Sequence, residues 1–195
     1  TTQITVNTGT GDGTIRLNVV DDDSINDTAG NSLGGPGNGN GDFTTGDVYT
    51  VDKTVPVVTS IVRAGSNPTG ASSVQFTVTF SEDVTGVNAG DFALTATGVT
   101  GASVTSRTQV TPSQYTVTVN TGTGSGTIRL DVDDNDSIID GASSPLGGTG
   151  NGNGDFTTGE VYAIDKSLPS VSSIVRVDAN PTNAASVQFD VAISE

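Results

Sequence analysis

The chain has 195 residues, of which 22 are acidic and 7 are basic, and its formal net charge is −15. It contains no cysteine, histidine, methionine or tryptophan, which excludes thiol chemistry, imidazole acid–base catalysis and metal ligation by His or Cys. The negative charge argues against nucleic acid and anionic lipid as partners and favours a divalent cation.

The sequence contains two copies of one segment. Residues 1–82, the first copy, align with residues 114–195, the second copy, at a constant offset of 113 and without gaps. TVNTGTGDGTIRL from Thr5 returns as TVNTGTGSGTIRL from Thr118, and GNGNGDFTTGDVY from Gly37 returns as GNGNGDFTTGEVY from Gly150. A period of this length matches the roughly 100 residues of an immunoglobulin-like domain. Each period is therefore predicted to be a whole domain.

The linker-like sequences DKTVP and DKSLP set the predicted domain boundaries. Residues 1–53 are predicted to be the C-terminal part of one repeat, residues 54–166 a complete repeat, and residues 167–195 the N-terminal strands of the next. The chain therefore looks like an interior piece of a longer tandem array.

Alternation of apolar and polar residues predicts strands within the complete repeat. In the second predicted strand, for example, Val74, Phe76, Val78 and Phe80 are expected to point inward. The predicted fold class is all-β, with tandem immunoglobulin-like seven-stranded β-sandwich domains. In chain order the strands are predicted at Val57–Arg63, Val74–Ser81, Phe92–Thr97, Ser103–Val110, Gln114–Asn120, Thr127–Val132 and Glu160–Asp165.

Acidic residues gather in three segments that an antiparallel sandwich would bring to one pole, where consecutive domains meet. These segments are the incoming linker, the corner after the second strand, and the long loop before the last strand. The central junction would contain Asp52, Glu82, Asp83, Asp133, Asp134, Asp136 and Asp140. Their counterparts in the other copy add Asp21, Asp23, Asp27, Asp165 and Glu195 as candidate ligands.

Carboxylates packed this closely repel one another by on the order of 1 kcal/mol per pair even in water. Calcium relieves such repulsion, because it takes six to eight oxygen ligands from carboxylates, amides and carbonyls. The sequence therefore predicts Ca²⁺ at the junctions. The alternative is that these residues only form turns, since Asp and Asn bond to their own backbone in tight loops.

Three motifs give the chain a family resemblance. FSEDVTGVNAGDFAL from Phe80, DDDSINDTAGNSLGG from Asp21 and VYTVDKTVP from Val48 together resemble the bacterial immunoglobulin-like repeats of very large secreted and surface-anchored proteins, including adhesins. The resemblance implies tandem extracellular sandwiches with calcium at acidic loops or junctions. It implies metal ligands at Asp52, Glu82, Asp134, Asp136 and Asp140, with Asp91 as a further contributor. The second copy departs from the family's Asp-x-Ala-Gly-Asn, which argues against Asn31 as a ligand.

The predicted function is structural. The chain is expected to be part of an extracellular or cell-surface protein or filament, a calcium-rigidified stalk or matrix component in adhesion. Its partners would be neighbouring identical repeats and other copies of the chain, with no nucleic acid and no membrane insertion in this segment. The alternative is a ligand-binding module that recognises carbohydrate or another surface. An enzyme is not expected, because a sandwich of this size has no insertion to form a cleft.

Overall fold

The computed structural model describes all 195 residues and is all-β. Its only helical element is one 3-10 turn at Ala89–Asp91. The eleven strands are β1 (Gly13–Arg16), β2 (Val48–Val51), β3 (Val58–Arg63), β4 (Ser73–Phe80), β5 (Phe92–Thr97), β6 (Ser103–Thr111), β7 (Gln114–Asn120), β8 (Gly126–Val132), β9 (Val161–Ile164), β10 (Val171–Arg176) and β11 (Phe189–Ile193).

Strands β3 to β9 form two antiparallel sheets in the centre of the chain. One sheet has the order β3-β4-β7-β6 and the other has the order β5-β8-β9. All seven strands lie within one residue of their predicted bounds, so the all-β prediction is confirmed. The arrangement is compatible with a β-sandwich.

The two sheets share one hydrophobic core because their strands alternate between buried and exposed positions. In β4 the side chains of Val74, Phe76, Val78 and Phe80 are buried, as predicted, and β8 contributes Ile128 and others from the opposite sheet. All of these belong to a single cluster of 19 buried residues. The core therefore holds the two sheets face to face.

Two aromatic pairs reinforce this core. Phe76 of β4 meets Tyr162 of β9 edge to face at 5.1 Å, and Phe80 meets Tyr115 in the same way at 5.9 Å. The hydroxyl of Tyr162 donates to the carbonyl of Gln75 at 3.0 Å, so its polar end is satisfied although the ring is buried. The pair between Phe76 and Tyr162 joins the two sheets directly.

A two-stranded hairpin lies on either side of the central sheets. β1 pairs with β2, and β10 pairs with β11. Each hairpin occupies the same place in its copy as a strand pair of the central sheets, since β1 and β2 align with β8 and β9, while β10 and β11 align with β3 and β4. Most of their apolar side chains are exposed, although Val51 is buried. Phe189, for example, is 55% exposed where the aligned Phe76 is fully buried. The boundaries near residues 53 and 166 stay predictions.

The corner between β4 and β5 is attached to the long loop between β8 and β9. The backbone groups of Thr85 and Ile139 bond to each other in both directions, at 2.8 and 3.1 Å. In the same corner, the hydroxyl of Tyr115 donates to the carbonyl of Val84 at 3.2 Å. The corner and the loop therefore lie at one pole, as the sequence predicted.

Gly86 permits this close approach, and its replacement gives a test of it. Its φ is +83°, and a Cβ at this position would overlap the carbonyl oxygen of Ser137. We expect Gly86→Ala to lower the free energy of unfolding by at least about 3 kcal/mol, because backbone strain and displacement of the loop add together. Urea denaturation measures the loss.

Gly101→Ala is the matched control. Gly101 has a similar φ of +77°, but a Cβ there would meet nothing within 4 Å. It should cost only about 1–2 kcal/mol of strain. Equal losses in the two variants would mean that the contact between corner and loop contributes nothing to stability.

Candidate functional site

The first part of the long loop is built on bonds from backbone amides to carboxylates. Asp134 is buried, and its two carboxylate oxygens accept from the backbone N–H groups of Asp136 at 3.1 Å and Gly154 at 3.2 Å. The carboxylate of Asp136 accepts from the backbone N–H of Gly150. Asp134 in turn donates its N–H to Asp155 Oδ1 at 2.8 Å. These aspartates direct their carboxylates into their own loop.

Asp140, further along the same loop, has a carboxylate with two different oxygens. Oδ1 accepts from the backbone N–H groups of Ala142 and Ser144, each at 2.8 Å. Oδ2 is buried and has no hydrogen-bond partner, and the residue is only 3% exposed. A buried carboxylate oxygen without a partner is costly unless something compensates its charge.

The carboxylates of Asp52, Glu82 and Asp140 come together at this pole. One ligand atom from each of the three lies within 4.8 Å of the others. Asp52 comes from the linker after β2, Glu82 from the corner after β4, and Asp140 from the long loop. Oε1 of Glu82, like Oδ2 of Asp140, is buried without a partner. We call these three residues the seam cluster.

Backbone bonds hold the linker against the other two segments. The N–H of Gly147 in the long loop donates to the carbonyl of Pro56 at 2.9 Å. On the corner side, the N–H of Val57 donates to Ser81 Oγ at 3.0 Å, and the N–H of Ser81 donates to the carbonyl of Val57 at 2.9 Å. These hydrogen bonds hold the linker, the corner and the long loop together, and so bring their three carboxylates close to one another.

The electrostatic environment of the seam cluster disfavours the charged form of Glu82. Burial raises the pKa of Glu82 above that of an ordinary glutamate, and the negative charges of Asp140, Asp52, Asp12 and Asp83 raise it further. An opposite charge placed among the carboxylates would reverse this effect.

Asp12 is a further acidic residue near the seam cluster that the sequence pattern did not predict. This residue precedes β1, and its carboxylate accepts from the backbone N–H of Lys53 and, at 2.6 Å, from the hydroxyl of Thr54. These bonds lower the pKa of Asp12. Asp12 therefore ties the first hairpin to the linker beside the seam cluster. Its counterpart in the second copy is Ser125, so a comparison of acids kept in both copies could not find it.

The remaining candidate ligands lie outside the seam cluster. Asp83 and Asp133 are exposed next to the corner and the loop. The first-copy residues Asp21 and Asp23 repeat the backbone bonds of Asp134 and Asp136. Asp165 accepts from the N–H of Ser167 at 2.9 Å, and Glu195 is exposed. Metal ligation by the candidates outside the cluster, including Asp27 of the first copy, stays a prediction.

The donors of the seam cluster fit a hard divalent cation. All three are carboxylates, and two of their oxygens are buried and free of hydrogen bonds, which leaves them available as ligands. Calcium accepts such oxygens, together with carbonyls and water, in a flexible geometry, whereas magnesium requires a near-ideal octahedron. If calcium binds, its positive charge compensates the repulsion among the three carboxylates.

The shifted pKa of Glu82 predicts how calcium-free stability depends on pH. A folded pKa above the unfolded one means that protonation of Glu82 stabilises the fold, so this contribution is present below about pH 4.3 and is lost as the pH rises through the raised pKa. In calcium-free buffer at pH 7 we therefore expect Glu82→Gln to melt a few degrees higher than the wild type. The difference should vanish near pH 4. Melting curves from pH 4 to 8 measure it.

Asp83→Asn serves as the control, because Asp83 is exposed and lies beside Glu82 without belonging to the seam cluster. It should shift the melting temperature less than Glu82→Gln does. If Glu82→Gln lowers stability at pH 7 in calcium-free buffer, the repulsion among the carboxylates is absent.

Comparison of the chain with protein-family models, with curated proteins and with solved structures finds no match. None of the helical residues forms a segment capable of crossing a membrane.

Proposed function

We propose that this chain is a structural segment of an extracellular tandem-repeat protein, in which calcium at the seam cluster fixes the linker between consecutive immunoglobulin-like domains. The observation that carries the proposal is the meeting of Asp52, Glu82 and Asp140, with two buried oxygens that lack partners. These residues come from segments that are distant along the chain.

The strand order supports an immunoglobulin-like domain. If β3 to β9 are lettered A to G, the two sheets read A-B-E-D and C-F-G. This is the order of the constant-type immunoglobulin sandwich. The proposed domain is residues 54–166.

The sequence repeat supports a tandem array. Strands of both flanking hairpins fall at positions that align with strands of the central sheets. Several of their apolar residues are exposed in this chain, as at Tyr49 and Phe189, whereas the aligned Tyr162 and Phe76 are buried. We propose that each hairpin belongs to a further domain of the same kind.

The proposed mechanism is thermodynamic linkage. Asp52 lies on the linker, while Glu82 and Asp140 belong to the central sheets and their loops, so a cation bound by all three requires the linker to be docked. Calcium at a hundredfold excess over its dissociation constant would stabilise this docked state by about 2.7 kcal/mol. Extracellular modules bind calcium with dissociation constants of roughly 10⁻⁴–10⁻³ M, so millimolar calcium would keep the linker docked much of the time.

Proteolysis at lysine tests this mechanism with a control inside the chain. The only lysines are Lys53 and Lys166, which occupy the same place in the two linkers. Asp52 beside Lys53 belongs to the seam cluster, whereas Asp165 beside Lys166 belongs to no group of three acids. We expect calcium to slow cleavage by endoproteinase Lys-C after Lys53 by at least about tenfold, because cleavage needs an undocked linker. Cleavage after Lys166 should change little.

Gel electrophoresis of timed digests with calcium or with a chelator reads out both cuts. Asp52→Asn should abolish the protection at Lys53. Equal rates of cleavage after Lys53 with and without calcium would overturn the proposed function.

A further inference from the structure

Asp140 of the seam cluster and Asp27, its counterpart in the first copy, differ in how their carboxylates are hydrogen-bonded. In the first copy Asp27 Oδ1 accepts from the backbone N–H groups of Ala29 at 2.8 Å and Asn31 at 2.9 Å. Asp140 Oδ1 accepts in the same way from Ala142 and Ser144. The turn around this oxygen is therefore the same in both copies.

The two copies differ in the hydrogen bonding of the second carboxylate oxygen, Oδ2. Asp27 Oδ2 accepts from the side-chain amide of Asn31 at 2.9 Å. Asp140 Oδ2 has no partner, because Ser144 stands at the position of Asn31 and makes no side-chain bond to it. This is the oxygen that Asp140 leaves free at the seam cluster. One residue, four positions after the aspartate, thus decides whether that oxygen is occupied from within the loop.

We propose that the residue four positions after the aspartate, Asn31 or Ser144, sets the affinity of each seam cluster for its divalent cation. Serine leaves the aspartate Oδ2 free for the metal, whereas asparagine donates an amide hydrogen to it that the metal must displace. The inference rests on the proposed calcium site and adds what tunes it. A bond to a charged group is strong enough for its displacement to weaken binding roughly tenfold to a hundredfold.

A consequence for the array is that its seams differ in strength. A seam built on an Asp with Asn four residues later, as at Asp27 and Asn31, would need more calcium to become rigid than a seam built on Asp140 and Ser144. A single stalk would then stiffen in stages as calcium rises.

Calcium titration by calorimetry of the full 195-residue chain tests the inference, using Ser144→Asn and, as the control, Ser144→Ala. The turn already accepts asparagine in the first copy, so Ser144→Asn should fold. We expect Ser144→Asn to raise the calcium dissociation constant at least about tenfold and Ser144→Ala to change it less than about twofold. Binding by Ser144→Asn as tight as wild type, or tighter because the amide oxygen joins the metal, would overturn this inference but not the proposed function. No calcium binding by the wild-type chain would overturn the proposed function and the inference with it.

A second measurement needs no metal. If the new amide reaches Asp140 Oδ2, Ser144→Asn should melt at a higher temperature than wild type in chelator, because it satisfies a buried oxygen, and Ser144→Ala should not. An unchanged or lower melting temperature for Ser144→Asn would show that its amide does not occupy this oxygen, and the inference would fail.

Discussion

Replacing Asp140 with asparagine is expected to remove most of the stabilisation that calcium gives this chain, while leaving the calcium-free fold intact. The asparagine keeps Oδ1, which accepts the two loop N–H groups of Ala142 and Ser144, but it loses the charge and the free oxygen at Oδ2. Even outer-shell changes at metal sites cost 10–100-fold in affinity, so losing a ligand should raise the dissociation constant by at least about 100-fold.

Thermal melting with and without calcium measures this effect. For wild type, calcium at a hundredfold excess should add about 2.7 kcal/mol, which is on the order of 10 °C for a unit of this size. At the same calcium concentration Asp140→Asn should gain at most about 0.4 kcal/mol. In calcium-free buffer it should be at least as stable as wild type, because it relieves repulsion by Glu82 and Asp52.

Asp27→Asn is the matched control for this prediction. Asp27 holds the same position in the first copy and the same turn, but it does not belong to the seam cluster. Its replacement should leave the rise with calcium unchanged. If Asp140→Asn keeps the full rise, calcium acts elsewhere on the chain.

Replacing Phe76 with alanine is expected to cause the largest loss of stability in the central sheets. Phe76 is fully buried and packs edge to face on Tyr162 across the two sheets. Such a truncation costs about 3–5 kcal/mol, a large part of the 5–15 kcal/mol that holds a typical domain folded. Urea denaturation followed by circular dichroism measures the loss.

Phe189→Ala is the control, because Phe189 in the flanking hairpin is the counterpart of Phe76. Phe189 aligns with Phe76 but is 55% exposed, so its replacement should change the stability of the central sheets by less than about 0.5 kcal/mol. Comparable losses in the two variants would contradict the description of residues 54–166 as the unit that contains the core.

The strands could be predicted from the sequence because their pattern reflects a simple physical rule. A strand buried on one face must alternate apolar and polar residues, and Val74 to Phe80 does so without interruption. The strand bounds were therefore predictable to within one residue. The pairing of the strands into sheets was less visible, because the order depends on long-range contacts that the pattern does not encode.

The seam cluster was only partly predictable. The topology placed Asp52, Glu82 and Asp140 at one pole, and the structure brings these three together. The sequence alone could not separate these three residues from Asp134 and Asp136, because aspartate serves both as a metal ligand and as an acceptor for loop amides. In the structure the carboxylates of Asp134 and Asp136 are occupied by loop N–H groups. That distinction depends on distances of a few ångströms.

Two residues that modify the site were hidden by how the copies were compared. Comparing the copies to find acids kept in both passes over Asp12, whose counterpart is Ser125, although Asp12 holds the linker. The change from Asn31 to Ser144 argued against a ligand role for Asn31. The structure shows that the same change frees an oxygen of Asp140. Differences between copies are therefore as informative about this site as identities.

The most direct test is a crystal structure of the chain grown in calcium, with anomalous diffraction data to locate the ion. We expect an anomalous peak about 2.3–2.6 Å from carboxylate oxygens of Asp52, Glu82 and Asp140. A well-ordered seam in saturating calcium with no peak among these three carboxylates would contradict it.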